Sequence, residues 1–164
     1  MAVDMFINMG DKIKGETQDA AQSGAGDIDV LAWSWGMSQS GSFHTGSGGG
    51  AGKVNVQDLS FTKWIDSATP AIQLNCCKGL HIPEVKLLVR KAGEKQQKYI
   101  EITMKKVIIS SVSTGGSGGE DKLTENVTLN FAEVKFEYFK QDEKGSTASA
   151  GICAWNIEKN EAAG

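Results

Sequence analysis

The sequence has few prolines, few cysteines and no long apolar run, and each shortage excludes a class of protein. Only 2 of the 164 residues are proline, which excludes collagen-like and polyproline structures despite the 20 glycines. The 3 cysteines have no framework spacing, and the adjacent pair Cys76 and Cys77 cannot bridge without strain, so a reduced chain is expected. No stretch resembles the roughly 20 apolar residues of a transmembrane helix, so membrane insertion is not expected.

Clustered positive charge is also missing. The formal net charge is −3, and the basic pairs Arg90-Lys91 and Lys105-Lys106 both have acidic residues close by. Because nucleic-acid affinity comes largely from clustered Lys and Arg, no nucleic-acid partner is expected. The first residues lack a basic segment followed by an apolar one, so we expect a protein made and folded in the cytoplasm without a cleavable signal peptide.

What the sequence does contain is period-2 alternation of apolar and polar residues, in short blocks separated by turn residues. The blocks predict seven strands, at residues 3–9, 28–39, 54–65, 82–90, 98–112, 123–139 and 151–157. The length fits one domain, residues 1–164. We therefore predict a mainly β protein, a small β-barrel of two packed, strongly bent antiparallel sheets. Residues 14–27, 40–53 and 114–122 lack a periodic pattern and are predicted loops, the latter two long and rich in Gly and Ser.

The second block has two faces of different character. One face is predicted to pack against the core and holds Leu31, Trp33, Trp35 and Met37. The opposite face holds Ala32, Ser34 and Gly36. Because these residues are small, another surface can approach that face closely.

The sixth block changes its apolar phase in mid-strand. Apolar residues occupy odd positions up to Phe131 and even positions from Val134, and the fifth block makes the same change between Met104 and Val107. Such a slip predicts either a β-bulge that turns the strand or a strand covered on both faces. Strands that bend in mid-length suit a small barrel.

One short α-helix is predicted between the third and fourth strands. Thr69 is the expected N-cap, Pro70 the first helical residue and Gly79 the C-terminal stop. Ile72 and Cys76 would then share the inner face, with Cys77 directed away from it.

Three motifs that suggest catalysis or cofactor binding fail on context. The glycine-rich run 46–53 ends in Lys53 like a phosphate-binding loop, but a predicted strand follows where a helix is required. The run 115–119 matches a nucleophile elbow around Ser117, but both of its flanks are predicted strands. Cys76, Cys77 and His81 lack the second ligand pair of a zinc site. We therefore expect no enzyme, no metal and no cofactor.

Longer runs carry a more specific resemblance. These are LAWSWGMSQSG at 31–41, GGAGKVNVQDLSFTK at 49–63 with Gly48 before it, and SSVSTGGSGGEDKLTENVTLNF at 110–131. With Thr69-Pro70 and the run 90–93, they cover nearly the whole chain in order. The sequence closely resembles the haemolysin-coregulated protein (Hcp) family.

The resemblance implies the tube subunit of the bacterial type VI secretion system. Family membership implies a β-barrel protomer that forms homohexameric rings, which stack into a tube and carry effector proteins in the lumen. The implied partners are a spike protein, a contractile sheath and a baseplate, and the protein is exported when the system fires. A phage-like tail-tube protein, or a templated subunit without a free-ring chaperone role, is the alternative. About 25 residues follow the last long predicted strand, too few for a catalytic extension.

The expected functional residues form interaction surfaces and not a catalytic centre. Alternation places Ala32 and Ser34 on the candidate lumen face, which contacts effectors. The resemblance implies that the loop of residues 40–53 reaches a neighbouring ring, and the loops of residues 114–121 and 14–27 are expected at subunit or ring boundaries. A tube of rings needs two kinds of contact, one that closes the ring and one that repeats along the tube. The candidates are Ser42, Phe43, His44, Thr45, Gly48, Gly49, Gly50, Lys53, Gly118, Glu120 and Asp121.

Overall fold

The computed structural model describes residues 3–41, 43–45, 50, 52–93 and 95–163. In chain order the strands are β1 (Val3–Asn8), β2 (Ile28–Ser34), β3 (Met37–Ser38), β4 (Asn55–Val56), β5 (Leu59–Trp64), β6 (His81–Lys91), β7 (Gln97–Thr114), β8 (Thr124–Gln141), β9 (Thr147–Asn156) and β10 (Glu161–Ala162). A single α-helix in these ranges, α1 (Thr69–Lys78), lies between β5 and β6. Short 3₁₀ turns occupy Ser23–Ala25 and Phe43–Thr45.

Six of the strands close into an antiparallel barrel. The order is β8-β5-β2-β1-β6-β7, and β7 pairs again with β8. Strand β8 changes partner along its length, because its first part pairs with β5 and its later part, from Glu133, pairs with β9. Strands β9 and β10 thus extend the same eight-stranded sheet beyond the barrel. The predicted mainly β barrel with one short helix is confirmed.

The core lies inside the barrel and is built from alternate strand residues. Its fully buried side chains include Ile7, Leu59, Phe61, Leu87, Ile102, Met104 and Leu129. Helix α1 contributes Ile72, which is also fully buried, and contacts β7. Cys76 is half-buried against this core while Cys77 is exposed, as predicted. Burial of these apolar surfaces is the main force that stabilises the fold.

The second and third predicted strands are each broken in two. The chain leaves the barrel after Ser34 and rejoins it at Leu59, and between them β3 pairs with β4 in a separate two-stranded sheet. The prediction that Leu31 and Met37 pack against the core is wrong, and Met37, in β3, is 47% exposed. Pairing of β2 with β5 shifts register between Val30 and Ala32, so Leu31 is an extra residue and is 38% exposed, while Trp33 still packs against the core.

The predicted N-cap is also wrong. Ala68 occupies the N-cap position without a side-chain cap, and Thr69 is already helical. The Thr69 hydroxyl accepts a hydrogen bond from the Asp66 N–H at 3.1 Å and donates one to Glu125 Oε1 at 2.8 Å. These two hydrogen bonds engage the hydroxyl in place of a cap on the helix. Gly79 ends the helix as predicted, with a φ of 61° that favours glycine.

The phase slips of β7 and β8 occur opposite one another. Met104 pairs with Val134 and Val107 pairs with Phe131, all four buried, and the register between them is unbroken. Of the two alternatives that the slip predicted, the β-bulge is therefore wrong at this place. Lys106 instead adopts a φ of 52°, so β7 changes direction at the backbone of this one residue. Register shifts of β7 with β8 and of β8 with β9 occur further along, at Ile109/Ser111 and Tyr138/Phe139.

Candidate assembly surfaces

The outer face of the sheet formed by β2, β5, β8 and the end of β7 carries small uncharged side chains. Cross-strand pairs align Ser34 with Ser60 and Ala32 with Thr62, and Thr128 and Asn126 continue both rows. Because neighbours in register point to the same side of a sheet, these residues share one surface. We call it the hydroxyl wall, and its members are Ala32, Ser34, Ser60, Thr62, Ser111, Ser113, Asn126 and Thr128.

Hydrogen bonds between side chains hold the hydroxyl wall together. Thr62 donates to Asn126 Oδ1 at 2.6 Å, and the hydroxyls of Ser60 and Thr128 are 3.2 Å apart. Ala32 and Ser34 are both exposed at its β2 edge. The result is a polar surface without ionised groups among its members.

The outer face of the other sheet is charged. On β6, β7 and β8 the outward positions include Lys86, Glu101, Lys135 and Glu137. Lys98 Nζ lies 2.9 Å from Glu101 Oε2, and a hydrogen bond from Ser149, with the nearby Lys135, lowers the pKa of Glu137. This charged face and the hydroxyl wall give the barrel two sides of different chemistry.

The loop of residues 40–53 extends from the small β3–β4 sheet. Phe43 is 82% exposed, His44 is exposed beside it, and Thr45 ends the same 3₁₀ turn. Gly50 and Lys53 are exposed, and Lys53 lines a pocket with His81 and Lys106. Ser42, Gly48 and Gly49 lie outside the described residues.

The loop between β7 and β8 is exposed at its tip. Gly118, Glu120 and Asp121 are exposed, and the Glu120 N–H donates to the Ser117 carbonyl at 3.4 Å. Asp121 lines a pocket with Trp64 and Lys122. This loop joins two strands of the barrel, whereas the loop of residues 40–53 joins the two strands of the separate β3–β4 sheet.

Sequence reasoning missed a buried ionic cluster at one end of the barrel. Lys63 and Glu125 are wholly buried, and Lys63 Nζ also donates to Asp66 Oδ1 at 2.9 Å and to the Trp64 carbonyl at 2.7 Å. Their inward phase was visible, because Lys63 continues the alternation of Leu59 and Phe61. Charged residues in strands normally face water, so the pattern alone did not identify the pair.

A second ionic contact attaches the loop of residues 14–27 to the barrel. Arg90, which is 4% exposed, donates to both Asp19 oxygens at 2.6 and 3.4 Å and lies 4.7 Å from the centroid of the Phe6 ring. The hydrogen bond from Arg90 lowers the pKa of Asp19. Burial raises the pKa of Asp27 at the end of the same loop, against a hydrogen bond from Asn8.

The described ranges contain no group of three His, Cys, Asp or Glu residues placed to hold a metal ion. The run around Ser117 joins two strands, β7 and β8, and so lacks the helix of a nucleophile elbow. Within the same ranges, no helix has the length and apolar character needed to cross a membrane.

Comparison with known proteins agrees with this architecture. Residues 6–138 match the family model described as "Type VI secretion system effector, Hcp". The chain is 60% identical over 162 residues to the protein hcp1 of Pseudomonas aeruginosa, with 98% of each chain covered.

Solved structures give the same result. A type six secretion system protein matches with a TM-score of 0.89 and 27% identity, covering 98% of this chain and 99% of that one. The crystal structure of Hcp1 from Salmonella typhimurium matches with a TM-score of 0.79 and 35% identity, covering 99% and 100%. The chain belongs to the Hcp family of type VI secretion system proteins.

Proposed function

We propose that this chain is the structural subunit of the type VI secretion inner tube, which forms hexameric rings that stack and enclose effector proteins. The observation that carries the proposal is the difference between the two outer faces of the barrel. The hydroxyl wall is uncharged and made of small side chains, whereas the opposite sheet is charged. A ring built from such subunits has one face suited to a channel and another suited to water or to an outer partner.

The hydroxyl wall is the proposed lumen surface. Small side chains leave a channel open, and hydroxyl and amide groups bind varied polypeptides through hydrogen bonds without selecting one charge. Ala32 and Ser34 belong to this wall and remain the proposed effector contacts. The wall extends the proposal to six further residues that sequence alternation did not connect with them.

The loops are the proposed contacts between subunits and rings. Residues 39–52 carry no formal charge apart from the titratable His44, so a neighbouring copy can cover this segment without burying unpaired ions. Gly118, Glu120 and Asp121 are proposed at a second contact. The spike, the contractile sheath and the baseplate are the proposed further partners, and the protein is cytoplasmic before firing and then exported without a cleavable signal peptide.

Light scattering coupled to size exclusion tests the ring. The protomer mass is 17.5 kDa, so a hexamer has a mass of about 105 kDa. A species of that mass in reducing buffer at micromolar concentration supports the proposal. A monomer at every concentration argues against free rings and favours the alternative, a phage-like or templated tube subunit that polymerises only on a baseplate.

The variant Ser34→Gln tests the lumen surface. The larger side chain would project from the hydroxyl wall, so we expect unchanged ring mass but reduced co-purification of secreted effectors. Thr103→Gln on the opposite sheet, where Thr103 pairs with Lys86 and Lys135, is the matched control and should retain effectors. Equal effector retention by both variants would contradict the assignment of the lumen face.

A further inference from the structure

An apolar pocket of about 130 Å³ lies where the β3–β4 sheet meets the outer part of the barrel. Met37 pairs with Val56 on one side, and Val134 pairs with Trp155 on the other. The Trp35 ring stacks on Phe136 with centroids 6.3 Å apart, which joins the two sides. The pocket is lined by Trp35, Met37, Val54, Val56, Val134, Cys153 and Trp155.

The pocket exposes apolar surface to water. Met37 is 47% exposed at its edge, and Cys153, which also lines the pocket, is exposed. The indole nitrogens of Trp35 and Trp155 are buried, so these two rings present carbon atoms to the opening. Covering apolar surface of this kind with a partner lowers the free energy, because the surface is removed from water.

Phe43 is the exposed aromatic side chain that matches this pocket. It is 82% exposed, on a 3₁₀ turn in the loop of residues 40–53. The loop joins the two strands of the β3–β4 sheet, and Met37 in β3 and Val54 just before β4 both line the pocket. Phe43 does not fill the pocket of its own chain, because its ring is almost fully exposed.

We propose that the pocket receives the Phe43 ring of a second copy of this chain. The inference rests on the proposed tube function and adds a specific contact to it. An apolar cavity of about 150 Å³ is large enough to bind benzene, so the volume of about 130 Å³ suits one phenyl ring. The uncharged neighbours of Phe43 also allow the approach, since no ionised group is desolvated with it.

The geometry of this contact suits a repeating assembly. The pocket and Phe43 are different surfaces of one protomer, so a head-to-tail contact is possible in which each copy gives one ring and receives one. Such a contact either closes into a ring or continues along a stack, and both arrangements occur in a tube of stacked rings.

Directed cross-linking between two kinds of chain tests the contact. Both chains carry Cys76→Ala and Cys77→Ser, so that Cys153 is the remaining native cysteine. The first chain carries Phe43→Cys and Cys153→Ser, and the second is tagged and keeps both Phe43 and Cys153. After mixing and reassembly, a short bismaleimide should yield a covalent heterodimer. Replacing Cys153 by Ser in the second chain should abolish that product.

A second measurement uses the aromatic ring itself. Removal of a buried phenyl group should raise the protein concentration needed for assembly about 10- to 100-fold in Phe43→Ala. Phe43→Leu should show a smaller change. Leu74→Ala, which removes an apolar side chain that is 52% exposed on α1, is the matched control and should assemble like the unmodified chain.

The outcomes separate the two proposals. Assembly of the unmodified chain, with no heterodimer and with normal assembly of Phe43→Ala, overturns the Phe43 contact and leaves the tube function intact. An unmodified chain that stays monomeric at all concentrations overturns both the free ring and this contact. A heterodimer that depends on Cys153, together with weaker assembly of Phe43→Ala alone, supports the proposal.

Discussion

Lys63 and Glu125 face one another across β5 and β8, with Nζ 2.5 Å from Oε1 and both side chains wholly buried. Thr69 at the start of α1 contacts both, at 3.2 Å from Nζ and 2.8 Å from Oε1. The cluster therefore joins two strands and the helix at one end of the barrel. If one partner is lost, the other charge remains buried where water cannot solvate it.

The first prediction concerns this pair. Lys63→Met leaves Glu125 buried without its cation and should lower the free energy of unfolding by about 3–5 kcal/mol. The double variant Lys63→Met/Glu125→Leu removes both charges and should lose less than the sum of the single variants, by at least about 1 kcal/mol. Urea denaturation at fixed protein concentration measures both effects, and additive losses would contradict the coupling.

The second prediction concerns Gly15, whose N–H donates to the Gly26 carbonyl at 2.9 Å. A Cβ at this position would lie 2.5 Å from the Asp27 carbonyl oxygen and 2.8 Å from the Ile28 Cα. Because backbone atoms cannot yield as a flexible side chain does, Gly15→Ala should destabilise the protein by about 1–3 kcal/mol. Gly24→Ala in the same loop meets nothing within 4 Å and is the control. Equal thermal stability of the two variants would refute this reading.

The third prediction concerns the pH dependence of the contact between Asp19 and Arg90. Arg90 lowers the pKa of Asp19 below its ordinary value of 3.8 in the folded protein. The contact therefore contributes its full stabilisation of the folded state at pH values above 3.8. Its contribution is lost as the pH falls through the lowered pKa. The difference in urea midpoint between the unmodified chain and Asp19→Asn should therefore be constant near neutral pH and shrink in acid. A difference that grows with acid would have the wrong sign.

The fourth prediction concerns the turn of β7 at Lys106. A φ of 52° costs a residue with a side chain about 1–2 kcal/mol, and a β-branched residue suffers most. Lys106→Gly should match or exceed the stability of the unmodified chain, because the exposed ion pair with Glu158 contributes only about 0–1 kcal/mol. Lys106→Val should be clearly less stable than Lys106→Gly in thermal denaturation. The reverse order would show that this backbone conformation is not kept.

Much of the barrel could be predicted from alternation. The phases of Leu59 and Phe61, and of Val127 and Leu129, fall on the buried face in the structure, because a strand places alternate residues on opposite sides. The exposure of Ala32 and Ser34 follows from the same rule. The family was recognisable because long ordered runs of residues are more specific than any short motif.

Local pattern failed where a residue's partner is distant in the chain. Leu31 has the phase of a packed residue, but a shift in its pairing with β5 turns it outward. Thr69 has the sequence context of an N-cap, but Glu125, 56 residues away, binds its hydroxyl. The hydroxyl wall likewise needs four strands in register, and no single strand contains enough of it to identify.

The order of apolar and polar residues therefore established the strand class and the inward phase, since these depend on neighbours one or two positions away. The family followed from the identity of residues along long runs of the chain. The exchange of β5 for β9 along β8, the burial of Lys63 with Glu125 and the apolar pocket between Met37 and Trp155 depended on folding. Each requires backbone edges or side chains far apart in sequence to meet. The packing of the whole barrel selects such pairings, and a short segment of sequence does not contain that information.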